Sequence, residues 1–219
     1  MRTHLTELRD HLTDVEAYCT QHSTDPNEIL NELERETHLK TLAPQMMSGR
    51  LQGQFLQLIS RLVRPRRILE IGTFTGYATL CLAAGLTADG RLHTIEVNEE
   101  LAYLIRKYLR KAKLEHRVEL HLGDAHSILP GLTGQFDLVF IDAGKRNNMM
   151  YYEWALQKAN PGGVILVDNT LWSGKVITDA RDEDTRSVRA FNAHVQDDVR
   201  VDTVLLPLRD GLTVVRVRD

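Results

Sequence analysis

From residue 67 to residue 169, short apolar segments alternate with segments of helical periodicity. Five apolar segments predict β-strands, and they read RILEIG, RLHTIEV, RVELHLG, FDLVFIDA and GGVILVDN. This alternation is typical of right-handed crossovers that build a parallel sheet covered by helices on both faces. Near the C terminus, VRVDTVLLPL and GLTVVRVR are joined through RDG, which predicts an antiparallel hairpin. The sequence therefore predicts an α/β fold with a doubly wound, mostly parallel seven-stranded sheet.

Helical periodicity also fills the chain before the first strand. A first helix is predicted from apolar residues at spacings of three and four, namely Leu5, Leu8, Leu12, Val15 and Cys19. A second helix should begin near Pro26, with Asp25 as a candidate cap, and run to about Lys40. A third is predicted over GRLQGQFLQLISRLV. With no repeat or linker in the sequence, we expect one domain over residues 1–219, in which a helical cap segment (1–64) covers a core (65–219).

Composition restricts the environment and the partners of the chain. With 219 residues, 42% hydrophobic residues and a net charge of −3, it resembles an ordinary soluble protein, and electrostatically dominated nucleic-acid binding is disfavoured. Neither a secretory signal nor a stretch of membrane-spanning length is evident, so we expect a cytoplasmic protein. Cys19 and Cys81 are the only cysteines, and both are expected to be buried, reduced thiols.

The first predicted strand ends in a turn that differs from a dinucleotide-binding turn. In ILEIGTFTGYATL, Gly72 and Gly76 lie four residues apart and no third glycine opens the helix. Gly72, followed by Thr73, would let the backbone approach a ligand closely. The carboxylate of Glu70 would repel a pyrophosphate and suit a cationic or ammonium-bearing ligand. The turn is therefore expected to hold a ligand without a phosphate.

Further polar residues stand at strand ends, where open α/β sheets bind their ligands. Glu96 ends the second strand, where a carboxylate can accept hydrogen bonds from both hydroxyls of a ribose. Alternatively, Glu96 is an acidic residue at the start of a helix, favoured by the helix dipole, with Asn98 as the helix cap. After the third strand, Asp124, Ala125 and His126 could line an adenine. The alternatives are a helix cap for Asp124 and a surface position for His126.

The fourth and fifth strands end in acidic residues that predict a cation site. Asp142 follows one strand, and Asp168 and Asn169 follow the other. Two carboxylates and an amide suit Mg²⁺, and without a histidine or cysteine zinc is disfavoured. Alternatively, Asp142 binds a nucleoside or caps a helix while Asp168 and Asn169 begin a turn. Lys145 could act as a general base, because a nearby divalent cation would favour its neutral form; alternatively it is a solvated loop lysine.

Taken in order, these motifs resemble the class I S-adenosylmethionine-dependent O-methyltransferases. The resemblance is closer to the metal-dependent branch that contains catechol and caffeoyl-coenzyme A O-methyltransferases, especially its small bacterial members. It rests on Glu70-x-Gly72, Glu96, GDA, FIDAGK and GGVILVDNTLWSGKV. MMSGRLQGQFL is similar to the family's cofactor-covering segment, and RAFNAHVQDDVRV with LLPLRDGLTVVRV to its closing hairpin. The resemblance implies a Rossmann-like fold, S-adenosylmethionine as the cofactor and S-adenosylhomocysteine as the product.

The resemblance also implies a role for each candidate residue. The residues expected around the cofactor are Ser48, Glu70, Gly72, Thr73, Ala78, Glu96, Ala125, His126 and Asp142. The residues expected to bind Mg²⁺, Mn²⁺ or Ca²⁺ are Asp142, Asp168 and Asn169, and Lys145 would be the catalytic base. The cation would grip two adjacent oxygens of a catechol-like or phenylpropanoid acceptor, with Asp142 and Lys145 as the catalytic residues.

Three positions depart from the family pattern. Ala78 stands where a hydroxyl commonly meets the cofactor carboxylate, so a backbone N–H must serve instead. Gly144 stands where many relatives have an acidic or aromatic residue, which makes the rim more open. Pro207 stands where the animal catechol enzymes place a substrate-orienting carboxylate, so a strictly catechol-shaped pocket is not required.

Other functions fit parts of the sequence. A methyltransferase acting on a hydroxylated uridine in tRNA could use RLVRPRR and RKYLRKAK for phosphate contacts, although the second segment also fits a solvated helix face. A nicotinamide oxidoreductase is disfavoured because this chain lacks the third glycine of the turn and such an enzyme would not use Asp168 and Asn169. A non-catalytic cofactor-binding or scaffold protein is disfavoured because it would not need the ligand set and Lys145. Exposed apolar faces on the N-terminal helices would favour a homodimer. The loop SGKVITDARDEDTR is expected to line the acceptor pocket.

Overall fold

The structure is a computed structural model that describes residues 14–219. Its centre is one seven-stranded sheet, in the order β3-β2-β1-β4-β5-β7-β6. The strands are β1 (Arg67–Ile71), β2 (Arg91–Glu96), β3 (Val118–Leu122), β4 (Phe136–Ile141), β5 (Ala159–Asp168), β6 (Val201–Leu206) and β7 (Leu212–Val217). β1 to β5 pair in parallel, whereas β7 runs antiparallel to β5 and β6. The predicted α/β fold class with its closing hairpin is confirmed.

Helices cover both faces of this sheet. They are α1 (described over 14–21), α2 (Glu28–Lys40), α3 (Gly49–Val63), α4 (Tyr77–Ala83), α5 (Ala102–Lys111), α6 (Ala125–Ile128), α7 (Asn148–Lys158) and α8 (Glu183–Asp197). Short 3₁₀ turns at Glu99–Leu101 and Lys145–Asn147 precede α5 and α7. Within the described residues, every helix is too short or too polar to cross a membrane.

Two hydrophobic clusters sit on opposite faces of the sheet, and the alternation of strand side chains separates them. Ile68 of β1 belongs to the cluster under α2 to α5, whereas Leu69 and Ile71 belong to the cluster under α6 to α8. β4 divides in the same way, with Phe140 on the first face and Ile141 on the second. Period-two alternation thus buries both faces of each central strand.

Several sequence predictions about the helices need correction. The cap of α2 is Asn27 and not Asp25, and the Asn27 side chain accepts a hydrogen bond from the Leu30 N–H. Pro26 lies before this cap and therefore outside the helix. Cys81 is buried as predicted, but Cys19 is exposed. The predicted apolar face at Leu5, Leu8 and Leu12 lies outside the described residues.

α8 was not predicted, although local signals for it exist. Asp182 caps the helix by accepting the Thr185 N–H at 3.0 Å, and two acidic residues occupy its first turn. Val188, Phe191 and Val195 then recur at spacings of three and four and are buried. The loop predicted to line an acceptor pocket therefore runs into the N-terminal turn of a helix.

The packing of α3 on α4 depends on a close backbone contact. Gly85, just after α4, lies so near Ser60 of α3 that a Cβ atom would overlap the Ser60 carbonyl group. The Ser60 hydroxyl donates a hydrogen bond to the carbonyl of Leu82, across the same contact. These two contacts hold the C-terminal half of α3 against the end of α4.

We expect Gly85→Ala to destabilise the protein by about 1–3 kcal/mol, because the added methyl group forces the two helices apart. Gly131→Ala is the matched control, since a Cβ there meets nothing within 4 Å. Thermal unfolding of both variants checks the prediction. Equal melting temperatures for the two variants would show that the α3–α4 contact can relax without cost.

Candidate functional site

A cleft of about 1190 Å³ opens at the carboxyl ends of the central parallel strands. The chain leaves β1 towards β2 and β3 and later returns to β4 on the other side of β1, so the strand order reverses between β1 and β4. Open α/β sheets form their ligand crevice at such a reversal. The segment before α3 and the turn between β6 and β7 also line the cleft.

Gly72 allows the ends of β1 and β4 to approach each other. Its φ is +98°, and a Cβ atom at this position would overlap the backbone carbonyl of Asp142. The Gly72 N–H donates to Ile95 O at 3.0 Å, and the Asp142 N–H donates to Ile71 O at 2.8 Å. A side chain is therefore excluded at residue 72 by the backbone of Asp142, whereas the sequence analysis predicted a close approach to a ligand.

Most residues of the predicted cofactor set line this cleft. They are Ser48, Gly72, Thr73, Ala78, Glu96, Ala125, His126 and Asp142. Ser48 stands immediately before α3 and is buried, as are Thr73 and Ala78. His126 is partly exposed, and its ring centroid lies 5.7 Å from that of Tyr151. Asp124 caps α6 by accepting the His126 N–H at 2.8 Å, so the capping alternative for Asp124 is observed.

Glu70 is the one residue of that set that lies outside the cleft lining. It is fully buried, and its Oε2 accepts hydrogen bonds from the hydroxyls of Thr79 at 2.5 Å and Thr94 at 2.6 Å. Because Thr94 already donates to Glu70, the Thr73 hydroxyl donates to Thr94. Burial raises the pKa of Glu70 to about 8, so its carboxyl is largely protonated at neutral pH. The predicted direct attraction between Glu70 and a cationic ligand therefore does not apply. Glu70 is instead connected to the cleft residue Thr73 by hydrogen bonds through Thr94.

Glu96 has both carboxylate oxygens fixed by backbone groups. Oε2 accepts the Phe74 N–H at 2.6 Å, and Oε1 accepts the Asn98 N–H at 2.8 Å. Asn98 separately caps the following 3₁₀ turn by accepting the Glu100 N–H. Each carboxylate oxygen can accept a further hydrogen bond, so Glu96 remains able to bind two hydroxyl groups in the cleft.

The parallel pairing of β4 with β5 brings the predicted cation ligands together. Ile141 pairs with Val167, so the residues that follow, Asp142 and Asp168, lie at adjacent strand ends. Asn169 comes next in a left-handed conformation with φ of +59°, which asparagine tolerates better than most residues. All three candidate ligands, Asp142, Asp168 and Asn169, line the cleft.

The acidic end of the cleft is electrostatically strained. Burial raises the pKa of Asp142, the Lys145 ammonium lowers it and the neighbouring Asp168 carboxylate raises it again. Lys145 Nζ lies 3.3 Å from Asp142 Oδ1, and the side chain of Lys145 is only 10% exposed, so it is not a solvated loop lysine. Burial likewise raises the pKa of Asp210, with a further contribution from Asp168. Oxygen donors with unneutralised negative charge fit a hard divalent cation.

Three residues of the cleft region were not predicted. Gln52 of α3 donates from Nε2 to Asp168 Oδ2 at 2.7 Å, although 116 residues separate the two in sequence. Arg209 and Asp210, in the turn between β6 and β7, line the cleft. Arg209 also donates to the carbonyl of Met47 at 2.8 Å. The sequence analysis singled out only the segments that contain them, MMSGRLQGQFL and the turn RDG, because sequence spacing does not reveal contacts over such distances.

The basic segment considered for phosphate contacts is partly neutralised by α2. Lys107 of α5 lies 2.5 Å from the carboxylate of Glu36, and Lys111 pairs with Glu32. The Glu36 carboxylate has a pKa of about 2, mainly because the ammonium of Lys107 is hydrogen-bonded to it. These pairs tie α5 to α2 and occupy two of the lysines of the segment RKYLRKAK.

Comparison with known proteins gives consistent matches. The model of a family described as O-methyltransferase matches residues 20–218. A catechol O-methyltransferase from Niastella koreensis is 38% identical over 162 residues, which cover 72% of this chain and 73% of that protein. A caffeoyl-CoA O-methyltransferase from Populus trichocarpa is 33% identical over 178 residues, with coverage of 75% and 72%. The crystal structure of the Streptomyces achromogenes O-methyltransferase TomG with S-adenosylmethionine is 35% identical, with coverage of 94% and 96% and a TM-score of 0.85.

The buried carboxyl of Glu70 makes stability depend on pH. Its ordinary pKa is 4.5, and in the folded state it is about 8. Between these values the unfolded chain loses the proton while the folded protein retains it, so ionisation favours unfolding as the pH rises. Glu70→Gln removes this effect and keeps an acceptor for Thr79 and Thr94. We therefore expect the melting temperature of Glu70→Gln, relative to wild type, to rise by several degrees between pH 5 and pH 8.

Glu99→Gln is the control for this experiment, because Glu99 is exposed and lies outside the cleft. Its melting temperature should follow that of the wild type across the same pH range. A constant difference between Glu70→Gln and wild type from pH 5 to pH 8 would mean that Glu70 ionises normally in the folded protein.

Proposed function

The chain belongs to the O-methyltransferase family and is an S-adenosylmethionine-dependent O-methyltransferase, and we propose that a divalent cation assists it in methylating a hydroxyl of a catechol-like or phenylpropanoid molecule. The observation that carries this proposal is the group Asp142, Asp168 and Asn169 at adjacent strand ends of one cleft. No histidine or cysteine belongs to this group, so its chemistry suits Mg²⁺, Mn²⁺ or Ca²⁺.

In this proposal the cofactor occupies the half of the cleft that β1, β2 and β3 form. Glu96 would bind the ribose hydroxyls, and Ala125 and His126 would contact the adenine. The methionine part would lie against Ser48, Gly72, Thr73 and Ala78. Because Ala78 has no hydroxyl, a backbone N–H would bind the cofactor carboxylate. Glu70 would act indirectly, by fixing the Thr94 and Thr73 hydroxyls beneath this half of the cleft.

The acceptor would lie at the acidic end, where Asp142, Asp168 and Asn169 would hold the cation. A bound divalent cation would supply a positive charge that lowers the pKa of an acceptor hydroxyl. Lys145 would take the hydroxyl proton on Nζ, which already lies within 3.3 Å of Asp142. The walls of the cleft would exclude water and hold the acceptor oxygen in line with the methyl group, and such positioning supplies much of the rate enhancement.

The choice of acceptor is supported by relatives and by the lining of the cleft. The matched proteins carry the names catechol O-methyltransferase and caffeoyl-CoA O-methyltransferase. Trp172 lines the cleft and offers an aromatic surface at its acidic end. Pro207 is exposed and lies outside the lining, whereas Asp210 of the same turn lies inside it, so a carboxylate is available to orient the acceptor. The open rim at Gly144 would admit acceptors larger than catechol.

A homodimer is part of the proposal. Leu39 of α2 and Leu58 and Leu62 of α3 are exposed, so the N-terminal helices do present apolar side chains to solvent. Such residues commonly mark protein interfaces when they form a contiguous patch. Light scattering after size-exclusion chromatography would test this part independently of activity.

The function is tested by transfer of a labelled methyl group from S-adenosylmethionine to caffeic acid. We expect transfer with Mg²⁺, and at least about a 100-fold loss with excess chelator or in Asp168→Ala, because a cation contributes several kcal/mol of charge stabilisation. Asp202→Ala, at an exposed position on β6, is the control. Calorimetric titration with S-adenosylhomocysteine checks that both variants bind the cofactor product.

Transfer that resists the chelator would contradict the role of the cation. Tight cofactor binding without methylation of caffeic acid would contradict the proposed acceptor, and tRNA containing 5-hydroxyuridine would be tested next. A sharp loss of tRNA affinity with rising salt would support that alternative.

The role of Lys145 as a base can be separated from its charge. We expect Lys145→Met and Lys145→Arg both to lower kcat by about 100-fold or more, because arginine keeps the positive charge but cannot accept a proton at neutral pH. Activity of both variants should partly recover at high pH, where more acceptor is ionised in solution. Steady-state rates from pH 6 to pH 10 provide the measurement. Near-normal activity of Lys145→Arg would show that Lys145 acts only through its charge.

A further inference from the structure

The Asp168 carboxylate is fixed by a residue from the other end of the chain. Gln52 is fully buried, and its Nε2 donates to Asp168 Oδ2 at 2.7 Å. The second oxygen, Oδ1, accepts the Asn169 N–H at 2.7 Å. With one donor on each oxygen, the plane of the carboxylate is defined, and each oxygen still has a lone pair for another partner.

Arg209 determines which way the Gln52 amide faces. Arg209 Nη1 lies 3.4 Å from Gln52 Oε1, and an arginine can only donate hydrogen bonds. Because Asp168 can only accept them, the amide has one orientation that satisfies both neighbours, with oxygen towards Arg209 and nitrogen towards Asp168. The direction of the amide thus follows from the chemistry of its two partners.

Arg209 is itself held in place by several contacts. Its guanidinium donates to the carbonyls of Met47 at 2.8 Å and Gln45 at 3.3 Å, which precede α3. Arg209 also adopts a left-handed conformation with φ of +51°, which is costly for a residue with a side chain. The turn between β6 and β7 is therefore anchored to the segment that carries Ser48, a residue of the cofactor half of the cleft.

A neutral donor suits a carboxylate that must keep its charge. A lysine or arginine at residue 52 would neutralise Asp168 and compete with a cation for it. An aliphatic residue would leave one oxygen of Asp168 free to turn. A glutamine orients the carboxylate and leaves its negative charge available.

We propose that Gln52, held by Arg209, is a positioning residue that orients the Asp168 carboxylate for a divalent cation. This inference rests on the proposed function, because it assumes that Asp168 binds a cation. Residues that orient a metal ligand typically change metal affinity by about 10–100-fold when they are replaced. The consequence is that the N-terminal helices contribute to the acceptor end of the cleft as well as covering the cofactor.

The test compares Gln52→Met with Gln57→Met. Gln57 is a buried glutamine on the same helix whose Nε2 faces Cys81, so its replacement removes an equivalent amide away from the cleft. Mn²⁺ is the probe, and electron paramagnetic resonance measures the free ion during a titration. We expect Gln52→Met to bind Mn²⁺ at least about tenfold more weakly than wild type. Gln57→Met should bind Mn²⁺ as the wild type does, and both variants should keep the wild-type affinity for S-adenosylhomocysteine.

Arg209→Lys provides a second variant should Gln52→Met not fold. A lysine keeps the positive charge but cannot contact Gln52 and two carbonyls at once, so Mn²⁺ affinity should fall while cofactor affinity changes less. Mn²⁺ affinity within twofold of wild type in Gln52→Met, or in Arg209→Lys if only that variant folds, would overturn this inference alone. A wild-type protein that binds no Mn²⁺ would overturn the cation proposal and this inference with it.

Discussion

The acidic end of the cleft depends on two buried carboxylates that the sheet forces to be neighbours. Parallel pairing of β4 with β5 leaves Asp142 and Asp168 at adjacent strand ends, and like charges in a buried site repel. The surrounding side chains compensate in different ways, since Lys145 brings a positive charge to Asp142 and Gln52 a neutral donor to Asp168. Such an arrangement leaves net negative charge, which is the condition under which a hard cation binds.

Glu70 and Glu96 show how the same sheet gives two carboxyl groups different states. Glu70 points to the face of β1 that α4 covers, where burial raises its pKa to about 8 and two threonine hydroxyls are its partners. Glu96 stands at the end of β2, where backbone N–H groups bind both oxygens of its carboxylate. Glu70 is the last residue but one of β1, and its carboxyl is a buried support. Glu96 is the last residue of β2, and its carboxylate remains a hydrogen-bond acceptor in the cleft.

Local sequence patterns predicted the elements that meet at the cleft. The five parallel strands, the hairpin and the positions of Gly72, Asp142 and Asp168 follow from short apolar runs and the polar residues that end them. The patterns did not predict contacts that depend on tertiary packing, such as Gln52 with Asp168 or the burial of Glu70 behind Thr73. Helix α8 differs, because its capping residue Asp182 lies within SGKVITDARDEDTR, a polar segment that local sequence predicts as a loop.

The two halves of the cleft differ in how their shape is determined. The proposed cofactor half is built mainly on the ends of β1, β2 and β3, with Ser48 from the segment before α3. The proposed acceptor half includes Asn169, Trp172 and Arg209, which all adopt left-handed conformations although none is a glycine, whereas the lining of the proposed cofactor half has one such residue, Phe74. Such conformations persist only where surrounding contacts impose them. The contacts of Arg209 with Gln45, Met47 and Gln52 hold its turn in place, so acceptor choice would depend on a few side chains in fixed turns.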